Sequence, residues 1–397
     1  MKTKFLFLLF TVFFGHWGFA QKDKKPQVIV YGSGILGYSA AVQASLSGVS
    51  TLWVLEDKEL MPELSQLRSI VNLPNVDGGI WLKLLMTMAL SKQMNDSLAI
   101  TAKQNINPQL FDNALRKNIS DQKNLTIVYS SNIVSINKKR KQWEIKLQDH
   151  YTYLVDCVID ASVDQKLRNL FPAKTNKQSY PKIRQLDEFS PTDMRTLVAS
   201  GEIQKKLYGI RLSDLIRDED HGLFNLTGVS GVLDTLASTT PFRSAVGQAL
   251  GATAAYLAFF HKESSEIEVR KLQSELMNYG ARLLPLTDVA IDDPNFFAIQ
   301  RVGLAAIFEL QWEEGLLILD KERSVTYRDI EPIFNTLYTR SQLWSVDRKE
   351  NELTLRDGLS LIKFVGLRGD EIDDEVQRDW SKKLNFPGVF DLDQLLG

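Results

Sequence analysis

The stretch of residues 27–56, QVIVYGSGILGYSAAVQASLSGVSTLWVLE, constrains the fold of this chain more than any other part of the sequence. Its apolar run Val28 to Tyr31 is short, β-branched and bounded by glycine, which predicts a buried parallel strand. Gly32, Gly34 and Gly37 follow at G-x-G-x-x-G spacing, ahead of small residues at helical intervals. Such glycines permit a tight turn, let a pyrophosphate approach the backbone, and bring helix and strand together.

A second apolar run, Thr51 to Leu55, ends in Glu56, nineteen residues after the last of these glycines. A carboxylate at that point accepts both hydroxyls of an adenosine ribose and disfavours a 2′-phosphate, so FAD or NAD fits better than NADP. A purely structural βαβ unit is the alternative. Strand, glycines, small-residue helix face, second strand and acid occur together in the right order, which favours dinucleotide binding.

The first twenty residues predict an export signal. Lys2 and Lys4 precede an apolar core from Phe5 to Phe14, and Gly18 to Ala20 offer small residues for cleavage before Gln21. The core is shorter than the roughly 20 apolar residues that span a bilayer, and no later run reaches that length, so no transmembrane segment is expected. We expect an exported protein, periplasmic or secreted, with an uncleaved anchor as the alternative.

The composition argues against several classes of site. The chain has 47 basic and 49 acidic residues, a balance that does not indicate a nucleic-acid partner. The single cysteine, Cys157, lies in an apolar run and is expected in the core. His150, His221 and His261 are far apart in the sequence, so neither a metal site nor a Ser-His-Asp triad is predicted.

The residues after Glu56 predict a small helical cap and then several strands. Residues 57–104 lack a strand pattern and contain two helical segments, and a longer helix is expected from Pro108. Extended runs follow at 125–129, 133–136, 143–147 and 153–159. The basic residues 137–141 are expected to form a solvated hairpin tip.

Two later motifs complete a family resemblance. The fourth extended run leads into Val158-Ile159-Asp160-Ala161-Ser162-Val163-Asp164, and a third block joins GLFNLTG, residues 222–228, to TTPFRSAVGQALGATAA, residues 239–255. The order of the three blocks resembles the FAD-dependent oxidoreductases of the glutathione-reductase-like, two-dinucleotide-fold group, closest to an exported bacterial branch with a D-A-T-G-D motif. The resemblance covers residues 26–262. It implies FAD as cofactor and an α/β, Rossmann-like fold with a parallel sheet and a β-meander.

The resemblance also implies where FAD binds. Adenosine is expected at Glu56, the pyrophosphate on the glycine loop, and the isoalloxazine ring at the start of the helix that carries Arg243. The complete set of expected cofactor contacts is Gly32, Ser33, Gly34, Ile35, Leu36, Gly37, Glu56, Ile133, Ala161, Ser162, Gly228, Arg243, Ser244 and Ala245. Arg243 either stabilises reduced flavin or an anionic substrate, or pairs with a carboxylate of the cap. His221 is either a catalytic base or a residue of a solvated loop.

The sequence departs from the family pattern at several points. Val163 replaces the glycine of the D-A-T-G-D motif, and Val229 replaces the polar residue that normally follows Gly228. The double glycine expected soon after the ribose acid is missing from residues 57–67, and the segment 168–206, assigned to the helical cap, is short. Each departure is expected to weaken flavin binding more than it weakens the fold.

Three hypotheses for function follow. The first is an exported FAD-dependent oxidoreductase that takes a hydride from a small-molecule substrate and passes electrons to a second acceptor. The second is a non-catalytic surface or scaffold protein with a degenerate flavoprotein fold. The third, an NAD-binding dehydrogenase, explains the glycine motif but not the third block.

Amphipathic helices predict a separate helical domain over residues 263–397, so a chain that ends near Ser265 is expected to stay folded. Two Thr-x-x-Asp pairs, at 326–329 and 354–357, predict helix capping boxes. These segments faintly resemble S-layer-homology helices, which implies association with the cell surface. The predicted divisions of the chain are a signal peptide at 1–20, an FAD-binding domain at 26–262 with its cap at 57–104 and 168–206, and the helical domain.

Overall fold

The structure is a computed structural model, and it describes residues 25–162, 166–171, 183–216, 221–225, 237–307, 310–321, 323–346, 352–380, 382 and 388–396. The predicted export signal lies outside these described residues, as do Val163, Gly228 and Val229. Within the described ranges, no helix combines the length and the apolar character that crossing a membrane requires.

The described strands fall into four sheets. Their bounds are β1 (Val28–Tyr31), β2 (Thr51–Val54), β3 (Leu125–Val128), β4 (Ile133–Lys139), β5 (Gln142–Leu147), β6 (Thr152–Val155), β7 (Cys157–Asp160), β8 (Arg184–Gln185), β9 (Leu197–Ile203), β10 (Lys206–Arg211), β11 (Leu223–Asn225), β12 (Gln311–Glu313) and β13 (Leu316–Ile318).

The described α-helices lie between and beyond these strands. Their bounds are α1 (Gly34–Leu46), α2 (Gly79–Met88), α3 (Asp96–Gln104), α4 (Pro108–Ser120), α5 (Pro191–Arg195), α6 (Leu212–Leu215), α7 (Thr240–Phe260), α8 (Val269–Asn278), α9 (Phe296–Ala305), α10 (Tyr327–Leu337), α11 (Ser341–Trp344), α12 (Leu355–Gly366) and α13 (Glu371–Asp379). A short 3-10 helix, Pro62–Gln66, follows β2.

A five-stranded parallel sheet forms the centre of the fold, in the order β11-β7-β1-β2-β3. Val28 stands opposite Thr51 on one side and opposite Cys157 on the other. Every residue of β1, β2 and β7 is buried, as expected for a parallel sheet with both faces covered. The predicted α/β class with a parallel sheet is confirmed, and Cys157 is a buried free thiol.

The predicted β-meander is present as the antiparallel sheet β4-β5-β6, with its hairpin tip after Lys139. The single strand predicted over residues 153–159 is wrong, because the chain changes sheets at Asp156. Val155 pairs with Trp143 in the meander, whereas Cys157 pairs with Val28 in the parallel sheet. The apolar pattern runs through this change of sheet, so it gave no sign of the break.

The second half of the predicted helical cap is a sheet instead. Strands β8, β10 and β9 pair antiparallel, and β9 and β10 are joined by Gln204 and Lys205, whose φ angles are 52° and 63°. Hairpin turns with two positive φ values usually carry Asn or Gly. Because neither residue stands here, the turn was not recognised from the sequence.

Helix α7 packs closely on helix α1 through its glycines. A Cβ atom placed on Gly247 would lie 2.3 Å from the carbonyl oxygen of Leu36, and one on Gly251 would lie 2.3 Å from that of Ala40. At these glycines the partner of α7 is a helix. Further along the same helix, the thiol of Cys157 in β7 lies 3.6 Å from the carbonyl oxygen of Ala254.

Both predicted capping boxes near the C-terminal end are confirmed. The carboxylate of Asp329 accepts from the backbone N–H of Thr326 at 2.8 Å and caps α10. At the start of α12, Thr354 Oγ1 accepts from the N–H of Asp357 at 3.2 Å, and Asp357 accepts in return from the N–H of Thr354 at 3.1 Å.

The main hydrophobic core extends well beyond Ser265. Leu272, Leu276 and Met277 of α8 belong to the same buried cluster as β1 and α7, and this cluster continues to Leu317. A separate cluster comprises Tyr327, Ile330, Phe334, Trp344, Leu353 and Leu361. The packing therefore contradicts the expectation that a chain ending near Ser265 stays folded, whereas the domain division at residue 262 remains a prediction.

A buried ion pair joins the same two regions. The guanidinium of Arg282, whose side chain is 1% exposed, donates to both carboxylate oxygens of Asp96 at 2.7 and 2.8 Å. It also donates to the carbonyl oxygen of Asp77 at 3.1 Å. Asp96 begins α3 in the cap, so the segment after α8 is tied to the N-terminal half by polar contacts as well as by apolar ones.

We predict that two truncations behave differently. A chain ending at Ser265 uncovers apolar surface of α7 and leaves Asp96 without Arg282, so it should lose cooperative unfolding. A chain ending at Asp320 keeps the main cluster and should still unfold cooperatively. Urea titrations monitored by near-ultraviolet circular dichroism test both truncated chains. A cooperative transition in the shorter chain would contradict the packing argument.

Candidate dinucleotide-binding site

The turn between β1 and α1 has the backbone geometry that only glycine accepts. Gly32 and Gly34 have φ angles of 110° and 93°. A Cβ atom on Gly32 would lie 2.6 Å from the backbone nitrogen of Ser162, and one on Gly37 would lie 2.4 Å from the carbonyl oxygen of Gly32. Trp53 of β2 donates its indole N–H to that same carbonyl at 2.8 Å. The turn is therefore fixed against both neighbouring strands.

The second motif lies directly against this turn. Ala161 donates its backbone N–H to the carbonyl oxygen of Tyr31 at 2.7 Å, which extends the pairing of β7 with β1 by one residue. Ser162 donates its hydroxyl to a carboxylate oxygen of Asp160 at 2.6 Å. The structure thus brings the predicted site residues Ala161 and Ser162 next to Gly32, as the family resemblance implied.

Asp160 is a buried carboxylate at the end of β7, 2% exposed. Burial raises its pKa to about 6, against the opposing effect of hydrogen bonds from Ser162 and from the backbone N–H of Leu167. The nearby charge of Glu56 adds to the increase. A buried carboxylate with a raised pKa at the edge of the sheet is typical of functional sites.

Glu56 follows β2 at the same edge of the sheet. Its carboxylate forms an ion pair with Lys166, a contact that the sequence did not predict. Burial, and then the neighbouring carboxylate of Glu56, raise the pKa of Tyr31, whose hydroxyl donates to Asn132 Oδ1 at 2.9 Å. Ile133, another predicted contact, is buried together with Tyr31 in a third hydrophobic cluster, distinct from the main cluster and from the one around Tyr327.

Glu63, in the 3-10 helix of the cap, lies on the glycine turn. Its carboxylate oxygen Oε1 accepts from the backbone N–H of Ile35 at 2.9 Å, at the N-terminus of α1. A Cβ atom on Gly34 would lie 2.9 Å from the same oxygen. The N–H of Gly34 is taken as well, because it donates to the carbonyl oxygen of Leu60 at 2.8 Å.

Arg243 pairs with this carboxylate of the cap, the second of its two predicted roles. Its Nη1 lies 3.5 Å from Glu63 Oε1, and its Nη2 donates to Thr240 Oγ1 at 3.1 Å. Ser244 is buried, and its hydroxyl lies 2.7 Å from that of Ser39 in α1. Ala245 lines a small cavity of about 10 Å³ beside the start of α7.

His221 is not brought to this edge. It lies two residues before the start of β11, at the amino ends of the parallel strands, whereas the glycine turn lies at their carboxyl ends. Its carbonyl oxygen accepts from the indole of Trp143 at 2.9 Å. Burial, and then the charge of Lys138, lower the pKa of His221. It lines a cleft of about 770 Å³ that also includes His261 and the basic hairpin tip.

The protein backbone at this site has the shape that a dinucleotide requires, with one obstacle. A pyrophosphate needs open N–H groups at a helix N-terminus and a turn without side chains. The glycines provide such a turn, but Glu63 and the carbonyl of Leu60 occupy the first two N–H groups of α1. Within the described ranges, no group of three or more His, Cys, Asp or Glu side chains is arranged to hold a metal ion.

Sequence analysis missed three residues of the site: Trp53, Glu63 and Lys166. Trp53 had a signal, because parallel pairing of β2 with β1 places it opposite Val30, beside the glycine turn. Lys166 bonds Glu56 across 110 residues and Glu63 bonds Arg243 across 180, and neither pair leaves a local pattern.

We predict a pH effect from Asp160. A carboxyl group whose pKa is raised from 3.8 to about 6 on folding stabilises the fold below pH 4, and this contribution is lost as the pH rises through 6. The unfolding free energy of the parent, minus that of Asp160→Asn, should fall by about 2 kcal/mol between pH 4 and pH 7. Urea titrations at each pH measure this difference. Asp149→Asn, in an exposed turn, is the control, and a difference that stays constant with pH would contradict the prediction.

Comparison with known proteins agrees with this geometry. Residues 27–176 match the model of a family described as FAD dependent oxidoreductase. This range contains the glycine turn, Glu56 and the second motif, whereas the third block lies beyond it and stays a prediction. The comparison with curated proteins gives no match.

Similar solved structures include bacillithiol disulfide reductase Bdr from Staphylococcus aureus, at 15% identity and a TM-score of 0.25, over 35% of this chain and 38% of that one. Another is p-nitrophenol 4-monooxygenase PnpA from Pseudomonas putida DLL-E4, at 10% identity and a TM-score of 0.26, over 37% of this chain and 43% of that one. This chain therefore spans well under half of those proteins, and likenesses at such scores imply nothing about its substrate.

The glycine turn, the acid after β2 and the β7 motif lie together at one edge of a parallel sheet, and the family model matches the range that contains all three. Residues 27–176 are accordingly the part of this chain that matches the family of FAD dependent oxidoreductases.

Proposed function

We propose that the whole chain is an exported FAD-dependent oxidoreductase that acts on a small reduced substrate and passes electrons to a second acceptor. The observation that carries this proposal is the glycine turn at Gly32, packed against Ala161 and Ser162 with no room for a side chain. A turn of this shape at a helix N-terminus suits a pyrophosphate.

FAD supplies the redox chemistry when it is bound, by accepting a hydride from the substrate. The protein's own residues then bind and orient the cofactor. Glu56 receives the adenosine ribose, and the backbone at Gly32 and Gly34 receives the pyrophosphate. The N-terminus of α7, where Thr240 begins the helix, offers the positive end of a helix dipole to negative charge on the reduced ring.

Arg243 is a cation beside the proposed pyrophosphate position, since its Nη1 lies 3.5 Å from the carboxylate of Glu63 on the glycine turn. A guanidinium at 12% side-chain exposure, beside a helix N-terminus, suits either a phosphate or an anionic substrate. We assign it to cofactor binding rather than to the chemical step.

A second candidate function is a non-catalytic surface or scaffold protein, docking through the helices after residue 320. The ion pairs of Glu56 with Lys166 and of Glu63 with Arg243 favour this candidate. In both pairs, side chains of this protein already neutralise charges that would otherwise interact with a cofactor. Purified protein that is colourless and takes up no added FAD would support this candidate over the enzyme.

The proposal predicts that a side chain at Gly34 prevents FAD binding. Gly34→Ala adds a Cβ atom on the face of the turn that the pyrophosphate approaches, 2.9 Å from Glu63 Oε1. The matched control is Gly48→Ala, whose φ of 87° is as strained but whose Cβ meets nothing within 4 Å. Both substitutions should cost about 1 kcal/mol of stability, and only Gly34→Ala should lose FAD in an absorbance titration. Equal FAD binding by the two variants would place the cofactor elsewhere.

Export predicts a new N-terminus. Protein isolated from its native host should begin at Gln21, because Gly18 and Ala20 supply the small residues that a signal peptidase requires. Intact-mass measurement decides this, with pyroglutamate at Gln21 as a recognisable variant. A mass that includes Met1 would support an uncleaved anchor instead.

A further inference from the structure

We propose that Glu63 is a built-in competitor for the phosphate position of the cofactor site, so that FAD binds only when this carboxylate leaves the glycine turn. The inference rests on the proposed function and adds a control element to it. Glu63 belongs to the 3-10 helix Pro62–Gln66, in the segment where the sequence lacks the expected double glycine.

The geometry of Glu63 is that of an anion bound at a helix N-terminus. Its Oε1 accepts from the N–H of Ile35 at 2.9 Å, and both of its carboxylate oxygens lie within 3.1 Å of the Cβ position of Gly34. The positive end of the α1 dipole and the unpaired N–H groups of a first helical turn attract phosphate and carboxylate alike. Glu63 thus occupies the N–H of Ile35, a donor that a pyrophosphate at this helix N-terminus would use.

The contacts of the neighbouring chain hold this carboxylate in place. Leu60 and Leu64, on either side of Glu63, are 2% and 8% exposed and belong to the main core cluster. The carbonyl of Leu60 accepts from Gly34, which anchors the segment on the turn. Arg243 closes the arrangement from α7 with its ion pair to Glu63, whose side chain is 20% exposed.

Two anions cannot share these donors. An incoming pyrophosphate must displace the carboxylate, and part of its binding free energy is then spent in breaking the bonds of Glu63 to Ile35 and Arg243. Because the core residues Leu60 and Leu64 fix the backbone, the side chain of Glu63 is the part that moves. The same contacts stabilise the protein without cofactor, so Glu63 has opposite effects on stability and on affinity.

Three variants test this. Glu63→Ala removes the competing carboxylate, Glu63→Gln keeps its size without its charge, and Glu59→Gln, at an exposed position of the same segment, is the matched control. Isothermal titration calorimetry gives the affinities for FAD, ADP and adenosine, and thermal unfolding gives the stability of each variant without ligand.

We expect Glu63→Ala to bind FAD and ADP roughly tenfold more tightly than the parent, the size of losing one charge-assisted competitor. Its affinity for adenosine, which has no phosphate, should not change, and its melting temperature without ligand should fall. Glu63→Gln should lie between the parent and Glu63→Ala, and Glu59→Gln should match the parent.

Three results would overturn the inference. If the parent binds FAD and Glu63→Ala binds it no more tightly, Glu63 is only a helix cap, and the proposed function stands. An equal gain for adenosine would mean that the effect does not act at the phosphate. If none of the variants binds FAD, the proposed function fails as well, and with it the competition.

Discussion

The rest of the structure depends on how closely helix α1 approaches its neighbours. Gly37 brings the helix within reach of the carbonyl of Gly32, while Gly247 and Gly251 let α7 meet the carbonyls of Leu36 and Ala40. A single β-carbon at any of these positions would lie 2.3 to 2.4 Å from a backbone oxygen, a distance that requires backbone movement. These glycines therefore fix the position of α1, and the N-terminus of α1 defines the site.

The N-terminus of α1 is the positive end of the helix dipole, and three carboxylates lie near it. Asp160 is satisfied by Ser162, Glu56 by Lys166, and Glu63 by the helix N–H of Ile35. An anionic cofactor therefore enters a site whose cations and donors are already paired. Its affinity depends on how many of these partners it replaces, not on the presence of the glycine motif alone.

Much of the fold was predictable because its signals are local. The run Val28 to Tyr31, the glycine spacing and the two Thr-x-x-Asp boxes each define a structure within a few residues, and each was found where predicted. The predictions are wrong where the sequence carries no local signal. The chain changes sheets at Asp156 inside one apolar run, and the hairpin at Gln204 has positive φ angles without Asn or Gly. The packing of α8 on the main core depends on tertiary contacts alone.

The site shows the same limit, with one exception. Pairs such as Glu56 with Lys166 join distant segments and leave no pattern in the sequence. The segment after Glu56 did leave a partial one, because the double glycine expected there is missing from residues 57–67, the segment that contains Glu63. The glutamate that follows Pro62 places a carboxylate on the N-terminus of α1. The missing glycines mark this segment as a departure from the family pattern, but only the structure shows that Glu63 occupies the glycine turn.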